Sequence, residues 1–151
     1  MIGPTSSKTR ASVRDGGMSH PRLAGLAIVV VWFTIGGIAH FVFTEKEMRI
    51  VPDIIPWPRA VVLIAGVFEL LGAAGLLVKS ARRAAGMGLF ALTIAVTPAH
   101  FYMLRHPELF DIPYWMLVMR IPLQGALLAV IAWSTCLFAK RAGRSNPGPC
   151  P

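Results

Sequence analysis

Charge is what this sequence has least of. Only 15% of its 151 residues are charged, against roughly 25% in an ordinary soluble domain. Acidic side chains are scarcer than basic ones, seven against fifteen. Cysteine is nearly absent: Cys136 and Cys150 stand alone, with no Cys-x-x-Cys spacing. A thiol–disulfide relay needs a low-pKa pair within reach, so that chemistry is a poor fit. No His-x-x-x-His ligand spacing and no haem, flavin or iron–sulfur motif is present, and no internal repeat stands out.

What is present is apolar and blocked out. Hydrophobic residues make up 55% of the chain, gathered into Arg22–Phe43, Pro58–Val78, Ala84–Leu104 and Tyr114–Ala139. Each block supplies about the 20 residues needed to cross roughly 30 Å of hydrocarbon. The sequence therefore predicts an all-α membrane protein, a four-helix up-down bundle spanning 22–139. Residues 1–21, rich in Ser, Gly and Arg, read as a disordered basic tail, and 140–151 as a second tail. The first block is longer than the 7–15-residue core of a signal peptide and lacks a small-x-small cleavage site, so it reads as a retained span.

The formal charge of +8 is not that of a nucleic-acid binder, because it alternates along the chain. The first tail with Arg22, the second loop and the last tail each carry a net +3, while the first loop is neutral and the third carries −1. By the positive-inside rule both termini and the second loop are cytoplasmic. Trp57, Tyr114 and Trp115 fall at the predicted outer ends, where amphipathic rings settle. The first loop alternates charge with Met48, Ile50, Val51, Ile54 and Ile55, a pattern expected to lie on the outer membrane surface.

Five polar side chains interrupt the blocks: His40, Glu69, His100, Arg120 and Gln124. At 1.5 Å per residue, His40 lies about 5 Å and His100 about 6 Å below the outer end of its span. Arg120 lies about 9 Å down, Gln124 about 15 Å and Glu69 roughly 16 Å. All five belong to the outer half of the bundle and are the candidate ligand-binding residues. Gly66 and Gly72 flank Glu69 three residues to either side, on its own face. Small residues let backbones approach in lipid, so Glu69 is expected to face another helix. Gly36, Gly37, Gly75, Gly86, Gly88 and Gly125 extend the same pattern. A charge at the bilayer centre costs about 2.5–3.5 kcal/mol by insertion scales, and an ion pair between Glu69 and Arg120 is the expected compensation. Arg120 and Gln124 share a face at i, i+4; Thr93, Thr97 and His100 form a stripe on the third span. Pro98 frees a backbone carbonyl there that needs a partner. A two-His-one-carboxylate metal site would draw on His40, His100 and Glu69, but Arg120 competes for Glu69 and no local spacing supports it. No metal is assigned. A haem held between His40 and His100 would rest on their similar depth alone.

The succession Gly-Ile-Ala-His-Phe (37–41), Ile-Val-Pro-Asp-Ile-Ile-Pro-Trp-Pro (50–58), Gly-Val-Phe-Glu-Leu-Leu-Gly (66–72), Thr-Pro-Ala-His (97–100) and Arg-Ile-Pro-Leu-Gln (120–124) resembles the DoxX-like membrane proteins over residues 22–138. His100 stands where relatives often carry Asn. The resemblance implies a four-helix protein of the bacterial cytoplasmic membrane. The family takes its name from a subunit of a thiosulfate–quinone oxidoreductase, and other relatives are linked to redox partners or to assembly of membrane complexes.

Two functions follow as expectations. In one, the chain is a quinone- or lipophile-binding subunit of a membrane redox complex. His40, Arg120 and Gln124 would donate hydrogen bonds to a head group, Glu69 would carry protons, and a partner redox protein would supply electrons. In the other, the chain is a non-catalytic membrane partner or assembly factor, and its polar cluster only holds the bundle together. Its basic segments would then meet anionic lipid head groups. An oligomer is compatible with either, and intrinsic catalysis is slightly disfavoured.

Overall fold

A computed structural model of the chain describes residues 18–110 and 112–138. The tail at 140–151, and the N-terminal tail up to residue 17, lie outside these. The elements are α1 (His20–Val42), α2 (Thr44–Met48), α3 (Pro58–Leu77), α4 (Arg82–Ala95), α5 (Thr97–Arg105) and α6 (Tyr114–Ser134), with a 3-10 turn at Pro107–Leu109. Among the described residues there is no strand. Proline opens α1, α3 and α5 within the first two positions, where its missing N–H leaves no hydrogen bond unmade.

Four helical stretches are long and apolar enough to cross a membrane: His20–Val42, Pro58–Leu77, Arg82–Arg105 and Tyr114–Ser134. Their side chains are distributed accordingly. Ile35 is 64% exposed, Leu71 62% and Trp115 65%, far more apolar surface than a soluble monomer presents. Lipid, not water, is the solvent that suits such a surface, and the chain is a multi-pass membrane protein on that ground.

Two expected spans need correcting. The third, expected as one helix over 84–104, breaks at Val96 between α4 and α5. Pro98 has no N–H and its ring crowds the carbonyl four residues earlier, so the ladder loosens there. The fourth ends at Ser134 rather than Ala139. The Thr135 amide and hydroxyl both return to the Ile131 carbonyl, and Cys136 takes a left-handed φ of 53°, a conformation a helix cannot continue. Cys136 is disulfide-bonded.

Contacts between successive spans run in opposite registers. Gly36 faces Glu69 and Gly37 faces Leu70, while Gly66 faces His40. Gly75 meets Ala85, and Gly72 meets Leu89. Gln124 reaches Thr93 and Thr97, whereas Thr135 lies against Gly86. Gly66 and Gly72 thus serve different neighbours, α1 and α4, instead of one. Gly88 and Gly125 face open space, so the expectation that they admit a close backbone does not hold.

The bundle is filled unevenly. Leu26, Val29, Phe33, Ala73, Leu76, Leu89 and Ile131 form a tight apolar core toward the end where α1 begins. The polar residues lie toward the opposite end, where α1 and α3 are held together at Gly37 and Gly66. A Cβ at Gly66 would stand 2.8 Å from His40 Cβ and 3.1 Å from the Gly37 carbonyl oxygen, too close without a backbone shift. Gly66→Val should therefore destabilise the protein by about 1–3 kcal/mol, as overpacking does. Gly125→Ala should stay within about 0.5 kcal/mol. Unfolding midpoints in mixed detergent compare the two, and equal midpoints would refute the assigned α1–α3 contact.

Candidate functional site

His40, Glu69, His100, Arg120 and Gln124 all line one cavity of about 690 Å³. They reach it from α1, α3, α5 and α6. Its remaining wall is mostly apolar, with Phe33, Val62, Leu92, Met119 and Leu123 among the lining side chains.

The depth estimates place Glu69 about 11 Å deeper than His40, yet the two meet, with His40 Nε2 3.5 Å from Glu69 Oε1. The reason is register. With Gly66 beside His40, α3 begins eight residues before that contact, while α1 ends two residues after it. The first turns of α3 therefore project beyond α1, and α2 packs against α3 there. Gly36, one turn before His40, makes the remaining room: a Cβ there would lie 2.7 Å from Glu69 Oε2.

The expected Glu69–Arg120 ion pair is not formed. Among the described residues, Glu69 has His40 as its ionisable partner within 4.0 Å. Arg120 makes its polar contact with a thioether, Met103 Sδ, at 3.9 Å. The cause is that α3 turns Glu69 toward α1, whereas α6 packs on α5 and carries Arg120 toward Met103. A guanidinium and a carboxyl group lining one cavity are thereby kept apart.

Gln124 has a structural task. Its Nε2 donates to the Thr93 carbonyl at 2.7 Å and to Thr97 Oγ1 at 2.6 Å, and Thr97 Oγ1 donates to the same carbonyl at 3.3 Å. The carbonyl loosened at the α4–α5 break is thus satisfied from α6, one residue before the carbonyl that Pro98 itself frees. Gln124 Oε1 is left without a partner.

It is not alone. His40 Nδ1, Glu69 Oε2, His100 Nδ1 and Gln124 Oε1 are all buried with no hydrogen bond to the protein. Buried polar atoms are rarely left so, and four from four lining residues of one cavity form a concentrated set. His100 stands beside Gln124, yet no hydrogen bond joins His100 Nδ1 to Gln124 Oε1. Among the described residues no group of three or more His, Cys, Asp or Glu side chains is placed to hold a metal ion.

The first loop, expected on the outer membrane surface, also closes the cavity, with Glu47, Ile50, Val51, Pro52 and Ile55 in its lining. Tyr102 Oη donates to Asp53 Oδ2 at 3.3 Å, tying the loop to α5. The alternation of charged and apolar residues in this loop was the signal for its partial burial.

The fold and site together define a multi-pass helical membrane protein with a polar-tipped cavity between its spans. Residues 28–136 match a family model described as Domain of unknown function (DUF8561), and the chain belongs to that family. No curated protein and no solved structure matches it.

The contact pattern is testable by coupling. In a double-mutant cycle, His40→Ala and Glu69→Gln should couple by about 0.5–3 kcal/mol in stability, as contacting residues do. Arg120→Gln and Glu69→Gln should be additive within about 0.5 kcal/mol. The reverse ordering would restore the Glu69–Arg120 pair.

Proposed function

We propose that this protein binds a lipophile with a polar head, holding the head among His40, Glu69, His100, Arg120 and Gln124 and the tail along the apolar wall. The observation that carries this reading is the set of four unpartnered buried polar atoms on one largely apolar cavity. Ligand pockets are typically 300–1,000 Å³, apolar, with a few placed polar groups, and this one is of that size and kind. The resemblance to DoxX-like proteins adds a quinone as a candidate ligand and a redox partner protein as its electron source. On the alternative reading, an assembly factor, the His40–Glu69 contact would serve only to fasten α1 to α3.

The same proposal includes orientation: an up-down bundle in a membrane of the bacterial cytoplasmic type, with both termini inside. The loop charges support it, since the basic excess falls on alternate segments. The alternation of charge runs through five separate segments and outweighs the disulfide at Cys136, which a cytosolic compartment would keep reduced. A cysteine placed at Glu45, whose side chain is 77% exposed, should react with a membrane-impermeant maleimide added outside intact cells. Reaction only after lysis would invert the topology.

Organic extraction of purified protein followed by mass spectrometry tests the ligand. A lipophile enriched over the membrane background in wild type, and depleted about tenfold or more in a folded Arg120→Gln variant, is expected; a tenfold loss corresponds to about 1.4 kcal/mol, well within the reach of one charged hydrogen bond. No enrichment in either protein would end the ligand reading and favour the structural one.

A further inference from the structure

Among the described residues, Arg120 is the one lining side chain of the cavity that carries a permanent positive charge, and it meets no carboxylate there. Its polar contact is the Met103 thioether at 3.9 Å, a weak acceptor that carries no charge to offset a guanidinium. Glu69, the carboxylate expected to pair with it, is turned to His40 on α1. A guanidinium between membrane spans is costly unless it is paired or hydrated. Resting on the lipophile-binding reading above, we propose that the missing counter-ion comes with the ligand, and that the cavity takes a single-chain amphiphile with a carboxylate head, seated on Arg120.

Several features select this chemistry. A guanidinium presents its N–H groups in a planar fork that matches a carboxylate two bonds at a time. His100 and Gln124 lie on the same side of the cavity, and the unpartnered His100 Nδ1 can donate a further bond to the head. The opposite side holds Glu47 and Glu69, with His40 against Glu69. Two carboxylates facing one guanidinium disfavour a head bearing two negative charges, which sets a carboxylate above a phosphate monoester. The wall between is built from Leu92, Met119, Leu123 and Leu127, a surface for an alkyl or isoprenoid chain and not for a sugar or peptide.

The test uses the full-length protein in phosphatidylcholine nanodiscs and two radiolabelled probes of equal chain length, hexadecanoate and hexadecan-1-ol. Wild type should bind the acid about tenfold or more tighter than the alcohol. Arg120→Gln should reduce that preference to within about threefold, and Arg120→Lys should retain part of it, because charge survives but the planar fork does not. Equal binding of acid and alcohol by wild type overturns the carboxylate assignment and leaves the lipophile cavity standing. Binding of neither probe, together with no co-extracted lipophile, overturns both. The wild-type comparison requires no variant, so a failure of Arg120→Gln to fold would not shelter the proposal.

Discussion

Hydrocarbon offers no hydrogen bonds, and this constraint governs the molecule. Every polar group carried into the bilayer must find a partner within the protein, within a ligand, or in water admitted to a cavity. The chain meets the requirement at the α4–α5 break, where Gln124 crosses from α6 to the Thr93 carbonyl. It meets it in part at Glu69, where one carboxylate oxygen faces His40 and the other faces no donor. The groups left over are not scattered. They collect at one end of the bundle, around one cavity.

Glycine makes that arrangement reachable. Between α1 and α3 the backbones approach so closely at Gly37 and Gly66 that no side chain fits between them. This contact sets the register that brings His40 level with Glu69. It also seats Glu69 Oε2 over Gly36. Toward the other end the interior is solid, with Val29, Leu76, Leu89 and Ile131 essentially inaccessible. The result is a dry, packed base that fixes the helices and an open opposite half whose walls carry the polar groups. Such a division suits a binding site, because the packed end holds the polar groups in place without their having to hold each other.

The first loop takes part in this site. A short helix, α2, and a following turn fold over the cavity, and the Tyr102–Asp53 hydrogen bond ties the loop to α5. Glu47 is thereby carried to the rim, adding a second carboxylate to the side that already holds Glu69. The cavity acquires an acidic side on α2 and α3 and a basic side on α6.

Much of this was legible in the residues. Span number follows from four apolar blocks separated by charge, because the cost of exposing charge to lipid leaves no other arrangement. The membership of the polar set was readable for the same reason: His40, Glu69, His100, Arg120 and Gln124 are conspicuous by their setting, and all five line the same cavity. Which of them meet was not readable. Depth along a span is counted from uncertain ends, and a displacement of α3 past the end of α1 changes the count by two turns. The sequence by itself determined how many helices cross and which side chains cannot face lipid, since both depend on composition and local spacing. Only the tertiary structure decided that Glu69 turns to His40 and leaves Arg120 facing a thioether, because pairing depends on helix rotation and register, set by close contacts between residues far apart in the chain.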